Sequence, residues 1–202
     1  MPRIIAGTLG GRPLPSPPGK GTRPTTDRVR EALFSRLETW DAIADARVLD
    51  LYAGTGALAL EALSRGARSA LLVDAHGPTA KQLRRTTAEL GLTESTEVRA
   101  AKAETVAGEL AGKDFSLVFI DPPYGVTTPA LELLLVTLRP ALRDDALVVI
   151  ERSTRTPAIT WPPGWTEDGA KSYGETALQY GGPDARAEEA EESAEDSSSS
   201  IP

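Results

Sequence analysis

Apolar positions along the chain change period repeatedly, and the changes mark out its elements. Val29, Leu33, Leu37 and Trp40 recur at helical spacing behind the capping residues Thr25, Thr26 and Asp27, which predicts a helix over 28–40. From residue 47 onward, short apolar runs alternate with helical patterns. Strands are predicted over 47–52, 69–74, 96–100, 115–121 and 146–151, and helices over 57–64, 79–90, 105–110 and 129–138. Such alternation demands right-handed crossovers, so an α/β fold with a mostly parallel, doubly wound sheet is expected. Gly66 and Gly91 stand where helices end. The run 173–180 offers one further strand, expected to close the sheet edge antiparallel.

Two shorter segments flank this core. Residues 3–6 and 12–14, separated by Gly10-Gly11, predict an N-terminal β-hairpin extension, followed by a link rich in proline and glycine. The expected division is a hairpin and basic arm over 1–24, a catalytic domain over 25–182 and an acidic tail over 183–202. The tail is Ala, Glu and Ser with almost no apolar content, and disorder is expected there.

Composition narrows the chemistry. A chain of 202 residues with 40% hydrophobic content is the size of one domain with a sizeable core. The absence of cysteine excludes disulfides, thiolate metal sites and any cysteine nucleophile, including the kind that methylates carbon five of a pyrimidine. There is neither an apolar run near the roughly 20 residues that span a bilayer nor a signal-peptide pattern, so a cytoplasmic protein is expected.

The net charge of −7 is unevenly distributed. From Asp184 onward seven acids face Arg186 alone, whereas residues 1–36 carry seven bases against Asp27 and Glu31. The basic arm is a candidate phosphate-binding surface, with Arg12, Lys20 and Arg23 as its RNA-binding candidates.

The run Asp50-Leu51-Tyr52-Ala53-Gly54-Thr55-Gly56 ends the first strong strand and opens a helix, where an α/β sheet binds nucleotides. Its glycines let backbone approach a ligand closely, although Gly54, Gly56 and Ala59 also satisfy the looser dinucleotide pattern. Asp50 favours S-adenosylmethionine as the ligand, because a carboxylate repels a pyrophosphate and attracts the ammonium of a methionine moiety. Asp74, at the end of the second strand, suits the ribose hydroxyls of either cofactor. The cofactor-binding candidates are therefore Asp50, Tyr52, Ala53, Gly54, Thr55, Gly56 and Asp74, and no metal is expected.

The most specific chemistry lies in Asp121-Pro122-Pro123-Tyr124, after the apolar run 115–120. An aromatic amine is a poor nucleophile because its lone pair is delocalised into the ring. Acceptors that hold its hydrogens draw the nitrogen toward tetrahedral geometry, and Asp121 and the Pro122 carbonyl are such acceptors. The prolines stiffen the backbone and remove competing donors, while Tyr124 offers a face for an extruded base. Asp121, Pro122 and Tyr124 are thus the catalytic candidates. His76 reads as a surface residue, and Trp161 and Trp165 as packing for the last strands.

Together these motifs resemble the bacterial RsmD family of ribosomal RNA guanine methyltransferases. The resemblance rests on residues 3–7, 22–34, 50–56, 60–67, 121–124 and 173–176, and covers nearly everything from 3 to 180. It implies a Rossmann-like class I S-adenosylmethionine-dependent methyltransferase. It further implies transfer to a guanine N2 amine in small-subunit (16S) ribosomal RNA, within an assembling 30S particle, by a monomer. The chain departs from family habit at Asp74, Thr87 and Ser35, and the stretch Ala101-Lys102-Ala103-Glu104 leaves the adenine contact unassigned. Rival readings are a DNA or RNA adenine or cytosine amine methyltransferase, a nonenzymatic RNA-binding assembly factor and a nicotinamide-dependent oxidoreductase. The lack of a separate target-recognition domain counts against a DNA methyltransferase, and Asp121 and Tyr124 against the other two.

Overall fold

A computed structural model describes residues 2–15 and 26–184. Helix α1 (Asp27–Thr39) is capped by Thr26, whose hydroxyl accepts from the Val29 amide, and it buries Val29, Leu33, Phe34 and Leu37. Strand and helix then alternate: β1 (Arg47–Leu51), α2 (Ala57–Ser64), β2 (Ser69–Asp74), α3 (Gly77–Glu89), β3 (Thr96–Ala100), α4 (Ala103–Ala107), β4 (Phe115–Ile120) and α5 (Thr128–Leu138). The chain finishes with β5 (Leu142–Ser153), β6 (Trp165–Tyr173) and β7 (Thr176–Pro183).

The strands form one seven-stranded sheet in the order β3-β2-β1-β4-β5-β7-β6. β3 through β5 run parallel, as the alternating pattern predicts. Helices cover both faces, since the side chains of α1, α2 and α3 share one core with Val48, Leu72 and Phe119, while α4 and α5 share another with Leu49, Val118 and Ile150. Strand order reverses between β1 and β4, so their following loops diverge and leave a crevice at the carboxyl edge of the sheet.

Four expectations are revised. The single strand expected over 173–180 is a hairpin turn followed by a strand, with Gly174 at φ +61° between β6 and β7. β7 is also not the edge: it pairs antiparallel with both β5 and β6, and β6 takes the edge. β6 escapes sequence reading because its residues are all exposed or half-buried, which removes the alternation of a one-sided strand. Finally, α4 spans Ala103–Ala107 rather than 105–110, and β5 runs from Leu142, beyond the expected 146–151.

The N-terminal segment pairs with itself through an antiparallel bridge between Arg3 and Pro13, and its Ile4 and Leu14 are buried in the core that α1 and α2 share. Its attachment is polar as well. The carboxylate of fully buried Glu61 accepts from the amides of Ile5 at 2.6 Å and Ala6 at 3.0 Å and pairs with Arg65 at 2.8 Å. Gly7 sits so close to the end of α2 that a Cβ there would run into the Ser64 carbonyl. The expected tail, apart from Pro183 and Asp184, and most of the expected link lie outside the described residues.

Candidate active site

The loop between β1 and α2 is built on left-handed backbone, with φ of +65° at Tyr52, +54° at Gly54 and +75° at Gly56. Tyr52 adopts this conformation against the steric preference of a side-chain-bearing residue, a strain commonly found at ligand sites. The Ala53 amide reaches across to the Val73 carbonyl at 2.9 Å, and the Gly56 amide closes the turn on the Ala53 carbonyl at 2.7 Å. Thr55 accepts from the Ala57 amide through its hydroxyl at 3.3 Å. A Cβ on Gly54 would meet nothing nearer than the Tyr52 carbonyl oxygen at 3.9 Å, so its surroundings are open to a ligand. Gly56 differs, because a Cβ there would come within 2.9 Å of Leu83 and 3.0 Å of Leu72.

Asp50 lies beneath the loop with only 2% of its surface exposed and accepts from the Ala59 amide at 3.2 Å. It thereby caps α2 from the preceding strand. Burial pushes its carboxyl up to about 7; the Ala59 bond works against this, and the charge of Asp74 adds to it. Asp74 spends one lone pair of each oxygen on backbone, accepting from the Gly54 amide at 3.0 Å and the His76 amide at 2.8 Å. Each oxygen retains another lone pair.

Asp121 follows β4 on the same edge. The pairing of Ile120 with Ile150 carries Asp121 alongside Glu151, and burial followed by the charges of Glu151 and Asp50 raises its carboxyl well above the usual carboxylate range. Pro122 is half-buried, whereas Tyr124 is 78% exposed. The loop is drawn tight behind them. The Val126 amide donates to the Pro123 carbonyl at 3.0 Å, and the guanidinium of buried Arg152 donates to the Val126 carbonyl at 3.2 Å.

Two features of this edge go beyond the sequence reading. The Tyr52 hydroxyl donates to Glu104 at 3.0 Å, linking the glycine loop to the first turn of α4, and burial together with that carboxylate raises the phenol above its ordinary value. Glu151 reaches the site only through strand register, which no local motif announces. His76 is exposed with Nδ1 3.0 Å from the Thr79 hydroxyl, and Trp161 and Trp165 stack on each other with ring centroids 6.1 Å apart. Arg12 is exposed and lines a groove of about 470 Å³ with Thr86, Glu89 and Leu90, at the far end of α3 from the crevice. Lys20 and Arg23 lie outside the described residues. Among the described residues, no cluster of His, Cys, Asp and Glu could hold a metal ion, and no helix is long and apolar enough to cross a membrane.

The family described as Conserved hypothetical protein 95, the RsmD family, matches residues 2–181. The chain belongs to this family. Within it, the chain is 37% identical to Ribosomal RNA small subunit methyltransferase D of Escherichia coli K12, over 88% of this chain and 87% of that protein. It is 32% identical to the Haemophilus influenzae protein of the same name, over 81% and 84%. The solved structure of Escherichia coli yhhF superposes with a TM-score of 0.80 at 34% identity, covering 91% of this chain and 98% of that one. The RsmD fold is thus the class I methyltransferase fold, and the sheet order above is its realisation in this chain.

Proposed function

We propose that this RsmD-family chain transfers a methyl group from S-adenosylmethionine to the exocyclic N2 amine of a guanine in small-subunit ribosomal RNA. The observation that carries the reading is the convergence of Asp121, Pro122 and Tyr124 with the open Gly54 loop on one sheet edge. The chain's likeness to proteins named for small-subunit RNA methylation supplies the substrate class.

The residues at this edge fit the cofactor. Gly54 leaves room for close backbone approach, Asp74 retains acceptor capacity for ribose hydroxyls, and Asp50 stands beneath the loop as a counter-charge for an ammonium. When bound, the cofactor supplies an electrophilic methyl on a sulfonium. Asp121 and the Pro122 carbonyl accept the two amine hydrogens and orient the nitrogen lone pair. Tyr124 stacks on the base, and the proton released after transfer leaves through Asp121 or water. Tyr52, Ala53, Thr55 and Gly56 shape the cofactor side of the crevice. Arg12, Lys20 and Arg23 contact the RNA backbone. The protein acts as a cytoplasmic monomer on an assembling 30S particle.

Nucleoside mass spectrometry of small-subunit RNA from a deletion strain tests the reading, with restoration by the purified protein on particles from that strain. Loss of one N2-methylated guanosine is expected. An unchanged nucleoside profile would overturn it.

A further inference from the structure

Acids and bases group on separate parts of the described surface. At the amino ends of the strands, a groove of about 700 Å³ is lined by Asp41, Asp45, Asp145 and Asp168, with Arg143 the single base among its lining residues. On the helical layer lies α3, where Lys81, Arg84 and Arg85 are all exposed and Glu89 is the sole acid of the helix. Spacings of three and four residues place these bases on one ridge. Arg85 pairs with Glu89 at 2.7 Å, and Arg84 donates to the Val98 carbonyl of the edge strand at 2.9 Å. Among the described residues, no carboxylate pairs with Lys81, Arg84 or Arg12. Arg12 stands against the last turns of the same helix, which continues the ridge into the N-terminal arm.

We infer that this ridge, Lys81, Arg84 and Arg85 continued by Arg12, is a docking surface for the phosphate backbone of the RNA substrate. The inference rests on the methyltransferase reading and adds where the substrate lies. α3 starts three residues beyond Asp74, and at a rise of 1.5 Å per residue Lys81 lies about 6 Å and Arg85 about 12 Å along it from the catalytic edge. α3 packs on β2 and β3, which lie two and three strand spacings from β4, so Asp121 is about 10–14 Å away in the plane of the sheet. A nucleotide held at Asp121 therefore leaves its neighbouring backbone within reach of the ridge. Point charges without an aromatic partner on the ridge suit phosphates rather than bases. The acidic groove lies at the amino ends of the strands, so it repels the same backbone from the edge opposite the crevice.

The test compares charge reversal at Lys81, Arg84 and Arg85 with charge reversal at Arg47, Lys113 and Lys171, all exposed and outside both the ridge and the acidic groove. The probe is small-subunit particles lacking the modification, titrated over a range of salt, with cofactor affinity and thermal midpoint measured on each protein. Each lost phosphate contact lowers the slope of log K against log salt by roughly 0.7–0.9, so the ridge variant should lose about 2 in slope and at least tenfold in affinity. The control should stay within about twofold in affinity, and cofactor binding should be unaltered in both. Should reversal at Arg84 loosen the edge strand, the K81E/R85E pair answers alone, with a slope change above about 1. An unchanged slope, or an equal loss in the control, overturns the surface. Failure of the wild-type protein to methylate particles that it binds with the expected slope overturns the methyltransferase reading and leaves the surface standing.

Discussion

The amide of Gly54 donates to the carboxylate of Asp74 at 3.0 Å, joining the turn after β1 to the end of β2. This bond explains how a glycine loop can be both open and ordered. Gly54 gains its position from a neighbouring strand rather than from its own turn, and the space around its Cα stays available to a ligand. The same carboxylate anchors the start of α3 through the His76 amide, so the loop and the helix are registered on one residue.

The two glycines of this loop should respond differently to substitution. Gly56→Val introduces a branched side chain at φ +75° where a Cβ alone would already press on Leu83, Leu72 and Leu60. It should lower the thermal midpoint as well as cofactor affinity. Gly54→Ala pays only the left-handed backbone penalty, about 1–2 kcal/mol, and should spare most of the midpoint while weakening S-adenosylmethionine binding. Calorimetric titration beside thermal melts separates the two. Unaltered cofactor affinity in folded Gly54→Ala would remove this loop from the cofactor site.

Asp50 makes stability depend on pH. Its folded value of about 7 lies above the ordinary 3.8, so the folded state favours the protonated acid. The associated stability is fully present below about pH 4 and is lost as pH rises through about 7. The difference between 3.8 and about 7 corresponds to about 4 kcal/mol. Asp50→Asn keeps an oxygen for the Ala59 amide without the buried charge, so it should raise the midpoint at pH 8, by less near pH 5. It should also weaken binding of the cofactor's ammonium. Equal gains at both pH values would show that the carboxylate is not the source.

Asp121 and Tyr124 should uncouple transfer from cofactor binding. Tyr124→Ala removes a stacking face worth roughly 1–3 kcal/mol per base, a loss of about ten- to a hundredfold in transfer. Asp121→Ala should lose more, because an acceptor that prepares the amine disappears. Single-turnover transfer on unmodified particles measures both. Near-normal transfer by Asp121→Ala would sink the mechanism.

The pH dependence of the same reaction should follow the raised carboxyl of Asp121. An acceptor must be ionised, so the single-turnover rate should climb with pH through that raised value. Burial is the main cause and Glu151 the next, so Glu151→Gln should move the climbing limb toward lower pH. A limb that stays in place would remove Glu151 from the electrostatics of the site.

Glu61→Ala should loosen the N-terminal segment. It strands the Ile5 and Ala6 amides and leaves the Arg65 guanidinium with Glu38 alone, and breaking such a buried pair costs about 3–5 kcal/mol. A lower midpoint is expected, with earlier proteolytic cutting between residues 2 and 15. An unchanged cutting pattern would mean that Ile4 and Leu14 hold the segment without it.

By itself, the sequence determined the alternating α/β architecture, the parallel core of the sheet and the local motifs at 50–56 and 121–124. Each of these rests on short-range physics: apolar periodicity sets strand and helix, and glycine and proline set the backbone of a turn. Tertiary structure alone decided what depends on partners distant in the chain. Glu151 stands beside Asp121 because β4 and β5 pair in one register and not another. The buried Asp50 carboxyl is raised by a lack of water that no residue type encodes. β6 became a strand because β7 offered it a ladder, its own polar side chains supplying no alternation to read. Lys81, Arg84, Arg85 and Arg12 form one ridge only after the N-terminal arm folds back on α3. Hydrogen bonding across strands, desolvation and charge summed over a surface all act through space, and their strength is fixed once the chain has closed on itself.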